Sequence, residues 1–385
     1  MRFFYLVLVI LFLSLNLRPS ITSVGPLLEF IQTDLGMSGV TASLLTTLPV
    51  FCMGLFALLS IKLSNRLGTE KSLLIAMVLI FLATFARAFL HNSWLLITTA
   101  LFAGIGIGIA GPLISGFIKK YFPDRLSVTS VYSVSMVIGA ALATSFSIPL
   151  FHVLKESWQW SLSFWSIFAL VAILLLFGLL AKREAGTVIM KLPSMRIQNK
   201  RVYLFMLLFG FVSTIFYSIT AWLAPFVQSM GMSASQSGLV LTLFTAVQIP
   251  VSFILPMVVG KTGKRKKWLL LCGLSELIGV VLLIGYFAPW VAAIFLGFGA
   301  GGLFPLAILI PIEEANNVDE ATSWSAQMQF GGFMIGAIGP LVFGLALDIF
   351  NSFTPAFIMI MIILCALAVV VLRLDKSAPE READN

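Results

Sequence analysis

Polar residues interrupt this chain only briefly, between long apolar runs. A helix needs about 20 apolar residues to cross the hydrocarbon core of a bilayer. Runs of that size lie near 3–29, 39–61, 72–90, 94–118, 127–150 and 160–181. A second set lies near 201–227, 236–259, 268–287, 290–312, 323–347 and 354–374. The pattern predicts an all-α polytopic membrane protein with twelve transmembrane helices, called spans 1 to 12 in chain order. The longest polar connection, AKREAGTVIMKLPSMRIQNKR, separates the two sets of six. The expected organisation is a six-helix bundle over 1–181, a cytosolic link over 182–200, a second bundle over 201–374 and a cytosolic tail over 375–385.

Composition narrows the class. Of 385 residues, 59% are hydrophobic and 10% charged, against roughly 45–50% and about 25% in a soluble domain. Too few charges exist to cover a water-exposed surface, which excludes a cytosolic enzyme, a disordered chain and a secreted disulfide scaffold. Cys52, Cys272 and Cys365 all sit within apolar runs and read as small core hydrophobes. No metal-ligand spacing, Gly-rich phosphate loop or nucleophile elbow occurs, so no metal, cofactor or catalytic group is expected.

The net charge of +8 does not point to nucleic acid, because the basic residues follow the loops. With the N-terminus inside, 21 of the 24 lysines and arginines fall on the cytosolic side and only Lys155 outside. Arg18 and Arg87 lie within spans, the latter placed to snorkel to the outer surface. This asymmetry sets the orientation of a multi-pass protein of the cell (inner) membrane, both termini cytoplasmic. The first apolar run exceeds a signal peptide's h-region and lacks a clear cleavage site, so it reads as a retained span.

The two sets of spans repeat one another. LGMSGVTASLLTTL at 35–48 matches MGMSASQSGLVLTL at 230–243, and Ser20-Ile21-Thr22 recurs as Ser218-Ile219-Thr220. GIGIGIAGPLISG at 104–116 matches GFGAGGLFPLAIL at 297–309, which pairs Pro112 with Pro305. Repeated six-span halves are the sequence mark of secondary transporters that rock around a midplane site. The glycines of span 4 (104, 106, 108, 111) and span 11 (331, 332, 336, 339) read foremost as close-packing positions.

Over nearly its full length the chain resembles the major facilitator superfamily, and within it the cyanate permeases and 2-nitroimidazole transporters. The likeness rests on LRPSITSVGPLLEFIQTDLGMS, LLTTLPVFCMGL, GIGIAGPLISGFIKKYFPDR, YSITAWLAPFVQSMGMS and AQMQFGGFMIGAIGPLVFGLALD. The Arg-Pro pair inside span 1 is the most specific feature. The resemblance implies passage of a small anion or polar heterocycle by alternating access. In the superfamily's loop between spans 2 and 3, usually Gly-x-x-x-Asp-Arg-x-Gly-Arg-Lys/Arg, Arg66 and Gly68 keep their places. Ile61 and Asn65 replace the glycine and aspartate, and Thr69 and Glu70 end the motif. Gly111 stands where the family often carries an asparagine.

Arg18 is the foremost candidate for solute contact. It lies roughly 22 Å of helix rise beyond Phe3, where a cation costs at least ~2.5 kcal/mol unless it faces a wet cavity or a partner. Its planar five-donor fork suits carboxylate-like anions; an internal salt bridge is the alternative. Ser14, Thr22, Gly25 and Glu29 share its stripe if the helix is continuous, and Pro19 is placed to kink it. Thr22 is a second binding candidate, with back-bonding to its own helix the competing reading. In span 7 the corresponding stripe holds Ser213, Tyr217 and Thr220, with Tyr217 suited to a planar solute; Trp222 reads as packing.

Gln248, Gln327 and Gln329 must find hydrogen-bonding partners inside the protein. The resemblance favours Gln327 over Gln329 at the cavity, and Tyr132 joins as a weaker candidate. Glu29, near the outer mouth, and Glu276, inside span 9, are the gating or coupling candidates, although a solvated helix end and a structural carboxylate explain them as readily. The expected partners are a small-molecule solute, membrane lipid, and protons or a counter-anion for coupling, with no nucleic acid and a monomeric state. Multidrug efflux within the same superfamily is the alternative function.

Overall fold

Hydrocarbon offers the backbone no hydrogen bonds, so an apolar segment crossing it must satisfy its amides internally as a helix. The computed structural model describes residues 2–122, 126–180, 201–314 and 318–375, and it obeys that constraint. Twelve helical spans run Phe3–Leu35, Gly39–Ser64, Thr69–Phe89, Ser93–Ile118, Val134–Val153 and Trp158–Leu180, then Arg201–Ser229, Ala234–Thr262, Arg265–Ile284, Pro289–Ile310, Trp324–Phe350 and Thr354–Leu374. No strand occurs among the described residues. The expected link over 182–200, the tail beyond 375 and the centres of the two loops at 123–125 and 315–317 lie outside them.

Local chemistry sets the ends. The Ser38 hydroxyl caps span 2 by accepting from the Thr41 amide, the Asn92 side chain caps span 4, and Ser233 with Gln236 forms a capping box on span 8. Gly68 joins spans 2 and 3 with φ at +83°, a conformation that favours glycine. This accounts for one surviving residue of the loop motif; the other, Arg66, stands exposed.

Small residues bring the spans together, as expected. In span 4, Gly104 lies against the backbone of Pro49, Gly106 against Ala76 and Ile80, and Gly108 against Cys52 and Met53. In span 11, Gly331, Gly332, Gly336 and Gly339 lie in turn against Met206, Phe209, Ser213 and Thr214 of span 7. Gly111 is the exception, since a side chain there would meet nothing within 4 Å.

The basic loops share one face of the molecule. There the Glu70 carboxylate accepts from Lys120 Nζ at 2.8 Å and from the Tyr121 hydroxyl at 2.6 Å, tying span 3 to span 4. Arg201 donates to Glu314 at 2.9 Å and to the Leu374 carbonyl at 3.1 Å, tying span 7 to spans 10 and 12. Both ties stay within one set of six.

On the opposite face the two sets meet directly. Gly39, at the start of span 2, and Gly344, in span 11, approach so nearly that a Cβ on Gly39 would lie 2.6 Å from the Gly344 carbonyl. The Asp348 carboxylate of span 11 closes the contact, accepting from the amides of Gly39 at 2.6 Å and Val40 at 2.9 Å. A carboxylate on two orphan amides at a helix N-terminus satisfies both its charge and the helix dipole. Nearer the middle, the hydroxyls of Thr144 (span 5) and Thr245 (span 8) lie 2.9 Å apart, and Gly25 of span 1 packs on the Thr220 carbonyl of span 7.

Hydrogen bonds to a charged acceptor contribute about 1.5–3 kcal/mol. Asp348→Ala is therefore expected to raise the opening of this face roughly tenfold. Ser43, buried beneath the contact, supplies the probe: Ser43→Cys in a chain whose native cysteines are replaced should label with a membrane-impermeant maleimide about ten times faster once Asp348 is lost.

Candidate functional site

Span 1 is not one helix. It runs as Arg2–Leu15, breaks at 16–18, resumes as the single turn Pro19–Thr22, breaks again at Ser23 and continues as Val24–Leu35. The cause is local. Pro19 has no amide to donate, and its ring disfavours helical backbone in the residue before it. Arg18 accordingly takes φ −120° and ψ −40° as the cap of the short turn. The continuous stripe expected from Ser14 to Glu29 is thus replaced by three offset segments, and only part of it shares a face. Thr22 does what the competing reading held: its hydroxyl returns to the Arg18 carbonyl at 3.1 Å. Ser14 likewise bonds the Ile10 carbonyl at 2.6 Å, and Gly25 serves packing.

The break aims Arg18 at the second set of spans. Its guanidinium carbon sits 4.4 Å from the Phe216 ring centre, 4.7 Å from that of Phe304 and 5.4 Å from that of Tyr217. The residue is only 4% exposed, its Nη1 has no hydrogen-bond partner, and among the described residues no carboxylate lies within ion-pair distance. The salt bridge considered from the sequence is therefore absent there. Each desolvated cation–π contact contributes about 1–2 kcal/mol, so two or three of them offset a burial cost of roughly 2.5–3.5 kcal/mol. Rings cover the faces of the guanidinium while its donors point out along the edge. A charge held this way keeps hydrogen-bonding capacity for something else.

Tyr217 is fully buried; its ring packs on Phe216 and Phe333, and its hydroxyl reaches Met53 Sδ of span 2 at 3.7 Å. Tyr132, partly exposed on span 5, lies close enough to Arg18 and Tyr217 to interact electrostatically with both. These three predicted residues are brought together. Gln248 is buried in span 8, but its amide donates to the Phe244 carbonyl of its own helix at 3.1 Å. Gln327 is buried in span 11, and Gln329 is half-buried.

The acidic candidates stay away from the guanidinium. Glu29 is exposed, and with Phe30, Thr33, Asp34, Gln228 and Met232 it lines a cleft of about 590 Å³ on the face opposite the basic loops. Glu276 is 2% exposed and packs against Gly299, between spans 9 and 10. Arg87 departs from expectation altogether. Rather than snorkelling outward it is 1% exposed, donating from Nη1 to the Ser20 carbonyl at 2.8 Å and from Nε to Thr99 at 3.3 Å. Acceptors within the bundle take up Nη1 and Nε, and Nη2 is buried without a partner. Trp222 is a packing residue, as expected, with its indole donating to the Pro340 carbonyl at 3.0 Å. Among the described residues no His, Cys, Asp and Glu cluster fit for a metal occurs.

Sequence reading missed Phe216 and Phe304, two of many phenylalanines in apolar runs. The internal repeat held the signal. The offset that pairs Ser20 with Ser218 pairs Arg18 with Phe216, and the offset that pairs Pro112 with Pro305 pairs Gly111 with Phe304. Arg18 thus meets its own repeat-equivalent position, Phe304 reaches Arg18 from the other half, and its equivalent Gly111 has open space beside it.

Comparison with known proteins agrees with this architecture. The sequence profile of the Major Facilitator Superfamily matches residues 4–337. The cyanate transport protein CynX of Escherichia coli (strain K12) is 30% identical, over 90% of this chain and 91% of that protein. The 2-nitroimidazole transporter of the same strain is 26% identical, over 87% and 86%. The crystal structure of a D-xylose-proton symporter superposes with a TM-score of 0.78 at 18% identity, over 99% of each chain, which shows a shared fold.

If Arg18 is held for a ligand rather than for the fold, removing it leaves no acid unpaired. Replacing buried charge by a well-packed apolar side chain is then neutral or stabilising. Arg18→Met is expected to keep or raise the melting temperature in detergent by a few degrees, whereas loss of a structural ion pair would lower it sharply.

Proposed function

From the premise that the chain belongs to the Major Facilitator Superfamily, we propose that it is a secondary transporter, not an enzyme, moving a small planar anion or polar planar heterocycle by alternating access. The observation that carries this reading is the Arg18 guanidinium, buried among Phe216, Phe304 and Tyr217 with Nη1 uncommitted. An anion completes the hydrogen bonding of the guanidinium, and a polar heterocycle both accepts from it and stacks on the neighbouring rings. The names of two relatives, a cyanate transport protein and a 2-nitroimidazole transporter, describe a small anion and a polar planar heterocycle. Tyr217 and Tyr132 supply hydroxyls beside the charge, and Gln248, Gln327 and Thr22 are the further contacts that this reading assigns to the solute.

The mechanism follows from one charge and two bodies. The spans of 1–181 and 201–374 are the moving halves, and Asp348 with the Gly39–Gly344 contact keeps them shut on the face opposite the basic loops. The reading takes those loops as cytoplasmic and the membrane as the inner one. Solute bound to Arg18 neutralises a charge that otherwise resists enclosure, so the occluded form gains more from solute than the open forms do, as loaded passage requires. Glu29 and Glu276 lie apart from Arg18 and take no part in binding; the coupling partner is a proton or a counter-anion. The protein works as a monomer surrounded by lipid.

Purified protein in proteoliposomes tests the reading against a panel of cyanate, nitrate, small carboxylates, 2-nitroimidazole and drug-like cations. Saturable uptake of a planar anion or nitroimidazole is expected, with at least a hundredfold loss of uptake efficiency in Arg18→Ala and a smaller, roughly tenfold, loss in Tyr217→Phe. Export of cations that survives Arg18→Ala would replace this reading with multidrug efflux, since a fixed positive charge repels such cargo.

A further inference from the structure

The second buried arginine has no role in the reading above. Arg87 ends span 3 in the tight turn Arg87–Phe89, and its guanidinium is wholly enclosed between spans 1, 3 and 4. Nη1 donates to the Ser20 carbonyl at 2.8 Å, Nε to the Thr99 hydroxyl at 3.3 Å, and that hydroxyl in turn bonds the Leu96 carbonyl at 2.7 Å. Among the described residues no carboxylate lies within ion-pair distance of it.

The acceptor it uses belongs to the interrupted turn. Ser20 lies two residues after Arg18, inside Pro19–Thr22. In an unbroken helix its carbonyl would accept from the amide four residues on. The break at Ser23 removes that bond, and Arg87 supplies the missing donor. A broken helix in a membrane is tolerated only where neighbours satisfy the freed backbone groups. Here the neighbour is a charged fork fixed at two points, one of them on span 4. The turn Pro19–Thr22 is tied back to its own bundle while Arg18, its cap, reaches into the other.

We propose that Arg87 is the positioning residue of the transport site: through the Ser20 carbonyl it fixes the turn that aims Arg18, and its charge adds a second unneutralised positive centre behind the first. The proposal rests on Arg18 being the solute-binding group. A lysine keeps the charge but lacks the planar fork that spans Thr99 and Ser20, so Arg87→Lys separates geometry from electrostatics. Thr99→Val removes only the second anchor and guards against a variant that fails to fold.

The test has two limbs on the full chain in nanodiscs and proteoliposomes. Hydrogen–deuterium exchange, which needs no solute, is expected to rise at least tenfold in peptides covering residues 16–24 of Arg87→Lys, and about threefold in Thr99→Val. Peptides from the middles of spans 3 and 4 should stay unchanged. Cyanate uptake is expected to show a tenfold higher KM with a maximal rate within about twofold of the parent. Bundle glue without a positioning role would raise exchange along spans 3 and 4 and leave KM alone, which overturns the proposal. So does unchanged exchange at 16–24, or a loosened turn with unchanged KM. If the parent protein takes up neither cyanate nor any other anion or nitroimidazole of the panel above, the solute reading fails on its own and the exchange limb decides.

Discussion

A cation without a counter-charge, enclosed between two helix bundles, constrains everything else in this molecule. Arg18 cannot retreat to water and finds no carboxylate among the described residues, so aromatic faces must hold it. Dispersion and quadrupole attraction suffice to keep it there, but they leave its in-plane donors unused. A salt bridge would have stabilised the same burial and silenced the group. Rings in place of an acid leave Nη1 without a hydrogen-bond partner.

That arrangement depends on a helix that does not continue. An arginine on a regular helix would project along one stripe, its reach set by neighbours at three and four residues. The Arg-Pro pair unhooks the backbone at 16–18, and the cost falls on carbonyls that lose their donors. The Arg18 carbonyl keeps the amides of Ile21 and Thr22 as donors, and Arg87, from another span, supplies a donor to the Ser20 carbonyl that the second break, at Ser23, leaves without its own. Close packing then fixes the remainder: Gly139 of span 5 seats itself against the Leu15 carbonyl at the edge of the break.

Hydropathy alone made the twelve spans legible, because a bilayer leaves few alternatives to a helix. The glycine contacts were legible in kind, and so was Arg18 as a buried polar centre. The offset of its helix segments was not, since periodicity assumes an unbroken helix and Pro19 voids that assumption. Phe216 and Phe304 were hidden by abundance, two among 34 phenylalanines. Arg87 misled because its distance from the span end fits snorkelling equally well. Only three-dimensional proximity shows that an orphaned carbonyl from span 1 waits beside it. Glu70 read as a departure from a loop motif, yet it anchors Lys120 and Tyr121, a tie whose partners lie about fifty residues on.

The internal repeat gives these details a common logic. Two halves of similar sequence, packed about a shared axis, bring equivalent positions face to face, and identical residues there would build a symmetric site. This chain breaks the symmetry at the two places that matter. Arg18 is set against Phe216 rather than a second arginine, which would double an already costly buried charge. Phe304 has Gly111 rather than a second phenylalanine as its repeat equivalent, and a side chain at Gly111 would meet open space. Charge and stacking surface are thus contributed by opposite halves, so a ligand touching both is held fully only when the halves are together. The difference at these repeat-equivalent positions puts the charge on one half and the rings that hold it on the other.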